Sequence, residues 1–330
     1  MTGSASYRQS RSRPHGENDH DGAPPGSATQ ASPAEGELAL VATPIGNLGD
    51  ITPRALEVLK GADAILCEDT RVTTRLLRHY GIDKPLVAFH DHNERAKTPL
   101  ALERIARGER LALVSDAGTP VFSDPGYRLV QAAGQAGLKV VGIPGANAAV
   151  TALSLSGLPP APFTFMGFPL RGTARLRAFE QLKALEGAGF SSTVAWYESP
   201  QRLVGTLSDL AAVFGPDRPA AVGRELTKLH EETVRGTLST LKNHFEKTPP
   251  RGEIVLLMGP AEQAEAGAGD VDRLLADALS GTQSLKDAAA MVAEIAHLPK
   301  RAVYARALEL QAARKAESDP TTTTQGQGGD

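Results

Sequence analysis

The chain is short of cysteine, aromatic residues and excess charge, and each shortage closes a possibility. A single cysteine, Cys67, rules out an internal disulfide and any zinc cluster built on several cysteines, so a reducing cytoplasm is the simplest setting. Aromatic residues make up 5% of the 330 residues while Ala and Gly are plentiful, which suits an α/β fold better than an all-β one. No apolar run approaches the roughly 18 residues of a membrane span. The net charge of −3 neither supports nor excludes a nucleic-acid partner, because a local basic patch suffices for one. Familiar cofactor and metal motifs are missing too: no G-x-G-x-x-G follows a strand-like run, and neither G-x-x-x-x-G-K-[ST] nor H-E-x-x-H occurs.

Leu, Ile, Val and Phe are absent from the first 36 residues, which therefore read as a disordered tail over 1–36. That segment also lacks the apolar core of a secretory signal, and its acidic ENDHD stretch argues against a transit peptide. The end, 316–330, reads as a second disordered tail.

Between the tails the chain is long enough for two domains. Short apolar runs ending near Ala42, Cys67, His90, Ser115 and Ile143 alternate with helical patterns such as TPRALEVLKGA and PGYRLVQAAGQAG. This alternation predicts a mostly parallel sheet covered by helices, forming an N-terminal α/β domain over 37–157. A Gly and a double Pro in SGLPPAPFTFMGFP (Ser156–Pro169) mark a linker. A second α/β domain is expected over 161–260, with strands at Thr193–Tyr197, Ala220–Arg224 and Ile254–Met258 and a helix at Pro200–Phe214. After an AEQAEAGAGD linker, a helical hairpin is expected within 271–315: helices Ser284–Ala296 and Lys300–Ala313, the first capped by Ser284 with Asp287 three residues on. The pair has helix-turn-helix dimensions, but small helical hairpins more often serve as packing units than as nucleic-acid contacts.

Three loops stand out at the ends of strand-like runs, where open parallel sheets bind ligands. In TPIGN, Pro44 fixes φ and removes a donor while Gly46 permits a turn that a Cβ would block. In SDAGTP, Asp116 can accept hydrogen bonds from ribose hydroxyls or backbone, and Gly118 lets the chain pass close to a ligand. In IPGAN, Gly145, Ala146 and Ala148 open a helix whose first N–H groups face the sheet edge. Each could be only a tight turn, but three on one edge favour a site. Small residues without Lys or Arg suit a neutral or cationic ligand better than a triphosphate.

Seven segments in register carry a resemblance: LVATPIGNLGDITPRALEVL, CEDTR, FHDHNE, LVSDAGTPVFSDPGY, IPGANAAVTALSLSGLP, WYESPQRL and GRELTK. From about Leu38 to Leu310 the chain resembles the small-subunit rRNA methyltransferase I branch of the tetrapyrrole methylase superfamily, whose enzymes 2′-O-methylate a cytidine of 16S rRNA. The resemblance implies a two-domain α/β tetrapyrrole-methylase-like fold, S-adenosyl-L-methionine bound between the domains, and typically a homodimer with 16S rRNA or the small ribosomal subunit as partner. The cofactor residues it implies are Pro44, Ile45, Gly46 and Asn47; Ser115, Asp116, Ala117, Gly118, Thr119 and Pro120; Gly145, Ala146, Asn147 and Ala148; and Met166 with Gly167. Two departures fall on these loops. Family members commonly read P-G-P-[SC]-A where Pro144-Gly145-Ala146-Asn147-Ala148 stands here, and G-F-L-P-x-K where Gly167-Phe168-Pro169-Leu170-Arg171 stands.

For chemistry, a weakly acidic ribose hydroxyl benefits from a nearby base. Asp91 with His92 is the first candidate pair, with Glu68 or Asp69 as alternates. Asp69 or Asn93 could instead cap a helix, and Arg71 could simply pair with a carboxylate. Glu198 and the Arg224-Glu225 pair divide in the same way between cleft and scaffold. Arg171, Arg175, Arg177 and Lys183 are the expected phosphate contacts, and Arg71 with Arg75 and Arg78 forms a second stripe, unless these are solvated faces. Phe89 or His90 could stack on the unpaired cytidine or pack in the core. Two other readings fit the residues: a methyltransferase of this fold acting on a tetrapyrrole or other small molecule, and a non-catalytic RNA-binding assembly factor.

Overall fold

The computed structural model describes residues 36–261, 268–280, 284–296 and 298–317. The tail expected over 1–36, Gly36 aside, and the one expected over 316–330, beyond Glu317, lie outside the described residues.

The first lobe runs β1 (Glu37–Val41), α1 (Pro53–Gly61), β2 (Ala64–Cys67), α2 (Thr70–His79), β3 (Leu86–Ala88), α3 (Asp91–Ala106), β4 (Arg110–Val114), α4 (Tyr127–Gln135), β5 (Lys139–Ile143) and α5 (Ala148–Ser156). Its five strands are parallel throughout, in the order β3-β2-β4-β1-β5. The run AILC shows why: all of its residues are buried, Ile65 and Cys67 facing the α1–α2 side with Leu59 and Leu77, Ala64 and Leu66 facing α3 and α4 with Ile105 and Leu129. A strand buried on both faces belongs in a helix-covered parallel sheet. Helix α1 starts where the sequence marks a start, with Pro53 in its first turn and Thr52 Oγ1 accepting the Ala55 N–H at 3.1 Å. Since β4, β1 and β5 are neighbours, the loops that follow them emerge side by side on one edge.

The second lobe comprises β6 (Phe163–Phe165), α6 (Gly172–Gly187), β7 (Thr193–Glu198), α7 (Leu203–Phe214), β8 (Pro219–Arg224), β9 (Glu232–Thr237), α8 (Leu238–Lys247) and β10 (Ile254–Met258). Its sheet has the order β6-β7-β10-β8-β9, and only β6 and β7 run parallel. The expected α/β alternation is therefore incomplete. The chain returns through a β8–β9 turn, in which Glu225 and Thr227 adopt positive φ, and places an unforeseen antiparallel strand at the edge. Residues 163–165, read as linker, are in fact that sheet's first strand. One face packs on α6, α7 and α8 through Phe179, Trp196, Leu207, Leu241 and Phe245. The other face receives α5, whose Ala152 and Leu153 lie with Ala221, Val255 and Leu257. Helix α5 ends the first lobe in sequence yet packs on the second, and Ile45 of the β1 loop joins the same cluster. The cleft is thus braced by an apolar core.

A C-terminal unit follows: α9 (Ala268–Leu279), α10 (Leu285–Ile295) and α11 (Lys300–Glu317). It is a three-helix unit, not a two-helix hairpin, because Val271 and Leu275 of α9 complete the core formed by Val292, Val303 and Ala307. Arg306 pairs with Asp272 at 2.7 Å across it, and Ser284 caps α10 by accepting the Asp287 N–H at 3.2 Å.

Candidate active site

The β1 and β4 loops are tied by an isolated two-residue bridge. Thr43 N–H donates to the Gly118 carbonyl at 2.8 Å, and Gly118 N–H donates back to Thr43 at 3.1 Å. The buried Thr43 hydroxyl also donates to the Ser115 carbonyl at 3.2 Å, and Thr119 Oγ1 donates to the Ala146 carbonyl at 3.1 Å, so the β5 loop is attached as well. Gly118 holds φ of 82°, and a Cβ there would lie 3.1 Å from Ile45 Cγ2. Gly46 touches the second lobe so closely that a Cβ would collide with Lys228 and Thr227. Backbone, not side-chain charge, forms this edge.

Below it lies a cavity of about 400 Å³ between the lobes. Ile45, Asp116, Ala117, Gly118, Thr119 and Ala148 line it from one side, together with Phe122 and Asp124 of the same β4 loop. Phe168, Tyr197, Leu226, Glu253 and Val255 face them from the other. A neighbouring hollow of about 260 Å³ is bordered by Thr43, Pro44, Thr73, Arg75 and Ser115, and Asp116 touches both. No Lys or Arg is among the residues lining the larger cavity.

The remaining predicted cofactor residues line neither space. Asn47 caps the turn Leu48–Asp50 by accepting the Gly49 N–H at 3.0 Å, and Asn147 caps α5 by accepting from Val150 at 3.1 Å. Ala146 accepts from Thr119, Gly167 accepts the Tyr197 N–H at 2.9 Å, and Met166 is exposed beside it. Gly46, Pro120 and Gly145 shape the loops from outside the cavity. The Ala146-Asn147 departure therefore supplies a helix cap, whereas the swapped Pro169-Leu170 lies off the cavity wall, which Phe168, shared with the family pattern, lines with its ring.

Carboxylates gather where β2, β3 and β4 end. Asp69 is spoken for: it accepts the Arg71 N–H at 2.8 Å as cap of α2 and pairs with the Arg71 guanidinium at 2.8 Å, which pulls its carboxyl down to about 2. Its N–H in turn donates to Asp116 Oδ1 at 3.0 Å. Burial raises Asp116 and Glu68, and each is raised further by neighbouring carboxylates: Asp69 for the former, Asp116 and Asp91 for the latter. Asp124 is displaced most. Burial, followed by Glu68 and Asp116, pushes it up to about 7 against a weaker opposing bond from Ser115.

Asp91 and His92 occupy the exposed first turn of α3, at the rim and not on the cavity wall. The cap of α3 is His90, whose backbone N–H donates to Asn93 Oδ1 at 3.0 Å, while Phe89 is fully buried. Glu198 is a scaffold group although it borders the cavity: its carboxylate binds Thr206 Oγ1 at 2.5 Å, the Ser199 N–H at 2.8 Å and Arg202 at 3.4 Å. Arg224 and Glu225 are likewise committed, to Glu232 at 2.9 Å and Lys228 at 2.8 Å.

Two of the expected phosphate contacts are engaged by the protein itself, Arg175 half-buried and Lys183 at the surface. Arg175 pairs with Asp209 at 2.5 Å and donates to Thr206 at 2.9 Å, fastening α6 to α7, and Lys183 donates to the Val213 carbonyl at 2.5 Å. Their partners, 30 or more residues away in sequence, give no local signal. Arg171 and Arg177 remain exposed, as does Arg71 despite its pairing. Arg171 borders a shallow basic hollow with Arg175 and Arg202.

Residues 37–242 match the model of the Tetrapyrrole (Corrin/Porphyrin) Methylases family, and residues 265–311 match that of the RsmI C-terminal HTH domain. A Ribosomal RNA small subunit methyltransferase I from Mesorhizobium japonicum is 46% identical over 283 residues, covering 85% of this chain and 94% of its own. The one from Synechocystis is 42% identical over 285 residues, with 84% and 99% covered. Among solved structures, a diphthine synthase superposes with a TM-score of 0.52 at 15% identity, over 68% of this chain and 90% of that one, which shows a shared fold. With two lobes, interlocked loops and this degree of likeness, the chain belongs to the tetrapyrrole methylase family, in its ribosomal RNA small subunit methyltransferase I branch.

Proposed function

We propose that the protein methylates the ribose 2′-hydroxyl of a cytidine in 16S rRNA, with S-adenosyl-L-methionine as methyl donor. The supporting observation is the interlobe cavity. Its volume suits a nucleoside-sized ligand, its walls are apolar at Ile45, Leu226 and Val255, and its only charged lining groups are carboxylates. Such walls fit a donor with a positively charged sulfonium and ammonium and no phosphate. When bound, the donor supplies an activated methyl group.

The chain's own task is placement. The backbone of Ala117–Thr119, fixed by the Thr43 bridge, presents a rigid edge. Asp116 and Glu253 offset positive charge, and the apolar walls exclude water. Orientation of two reactants in a fixed site contributes on the order of 7–11 kcal/mol to such a transfer. For RNA, exposed Arg171 and Arg177 on one lobe and Arg75 and Arg78 on the other offer phosphate contacts, which makes binding salt-dependent. The family likeness extends the proposal to a homodimer in the cytoplasm; among the described residues no helix is long and apolar enough to cross a membrane.

Incubation with methyl-labelled donor and either small ribosomal subunits or naked 16S rRNA, followed by mapping of the label, tests the assignment. Label on one cytidine ribose is expected. Label on no ribose removes it.

A further inference from the structure

We infer that Asp124 is the group that accepts the proton of the ribose hydroxyl as it becomes methylated. This rests on the function proposed above and assigns a role to a residue of the cleft that the sequence motifs leave unused.

The inference begins with geometry. Of the carboxylates at the β2–β4 edge, only Asp116 and Asp124 line the cavity. Asp116 already accepts the Asp69 N–H at 3.0 Å. Asp124 has no cation beside it on the wall, and the segment around it is held from both sides. Val121 and Ser123 sit at φ of 76° and 65°. Beyond the buried Pro125, Glu94 Oε1 accepts the Gly126 N–H at 3.1 Å and the Arg128 N–H at 2.9 Å. Non-glycine residues at positive φ are costly and persist where the surroundings fix them. Here they keep the Asp124 carboxylate on the cavity wall.

The groups facing it explain its proton affinity. Glu68 comes from the end of β2, Asp91 from α3, Asp116 and Ser115 from the β4 loop, and Tyr197, Glu198 and Glu253 from the second lobe. With burial, the facing carboxylates raise it to about 7, close to the working pH that suits a general base. Asp69, Glu94 and Glu198 are ruled out by their committed bonds, and exposed Asp91 and His92 by their position at the rim.

The step balances without a further reactant. The ribose oxygen forms its bond to the methyl carbon, the sulfur–carbon bond breaks with its pair left on sulfur, and the hydroxyl proton moves to Asp124 and later to solvent.

The test compares wild type with Asp124→Asn and Asp124→Glu in single-turnover methylation of rRNA across pH. Binding of S-adenosylhomocysteine by calorimetry and a ¹³C carboxyl titration of the free protein accompany it. For wild type, a rate that rises to a plateau with a midpoint near 7 is expected, matched by one carboxyl titrating there. For Asp124→Asn, a loss of about 10²–10⁴-fold, no midpoint near neutrality and unchanged ligand affinity are expected. Asp124→Glu should recover part of the rate with a shifted midpoint. Retention of the midpoint by Asp124→Asn, a parallel loss of ligand affinity, or no carboxyl titrating near 7 in wild type would overturn the inference. The last of these decides even if the variants do not fold. Wild-type protein that labels no ribose removes the functional reading itself, and a normal rate in the variant removes the inference alone.

Discussion

Replacing Gly118 with Ala strikes the point where the β1 and β4 loops are tied. Gly118 lies at φ of 82°, a left-handed conformation that costs an L-residue roughly 1–2 kcal/mol. The added methyl would also stand 3.1 Å from Ile45 Cγ2, a side chain only 7% exposed and packed in the interlobe core, so Ile45 must give way. Overpacking of this kind costs about 1–3 kcal/mol. Together these give a loss of about 2–5 kcal/mol, or about 1–2 M in the urea midpoint for a slope near 2–3 kcal/mol per molar. Affinity for the donor should fall as well, because the Thr43–Gly118 bridge forms the cavity's edge. Gly134→Ala serves as the control: Gly134 lies in α4 with open space around its Cα, so Ala should gain about 0.5–1 kcal/mol. Wild-type stability and affinity in Gly118→Ala would refute this account of the loop.

Three other perturbations separate scaffold from site. Glu94→Ala should cost about 3 kcal/mol in chemical denaturation by leaving the Gly126 and Arg128 amides without their acceptor, whereas Glu94→Gln, which keeps an acceptor, should cost about 1 kcal/mol. Arg175→Ala should lower the melting temperature through loss of the Asp209 pair without altering RNA affinity, while Arg177→Ala should spare stability and reduce the slope of RNA affinity against salt by about one. Asp124→Asn should stabilise the protein in a pH-dependent way. Below the unfolded carboxyl value of 3.8, Asp124 is protonated in both states; between there and about 7 only the folded state keeps the proton, so wild-type stability falls as pH rises, and above that the penalty is constant. Discounted for partial solvation, the gain for Asn should be about 1–2 kcal/mol at pH 8 and vanish toward pH 4, read from thermal melts across pH.

Much of the site's frame was legible because it is made by backbone-shaping residues. TPIGN, SDAGTP and IPGAN end apolar runs of one parallel sheet, and neighbouring strands bring them together. What stayed hidden depends on contacts between distant segments. The antiparallel strand β9 follows a turn with positive φ at Glu225 and Thr227, residues that carry no strong turn signal. Arg175 looks like surface charge until Asp209, 34 residues on, is seen opposite it. Asp124 sits in plain view in SDPG, yet its burial and its crowd of carboxylates exist only once Glu68, Asp116 and the second lobe surround it. Capping at Ser284, by contrast, spans three residues and was readable directly.

A crystal structure with bound S-adenosylhomocysteine measures the central claim most directly. The ligand should lie between the Ala117–Thr119 backbone and the Leu226–Val255 wall, with its sulfur turned toward Asp116 and Asp124. A ligand seated elsewhere, with the space between the lobes closed, would contradict the account.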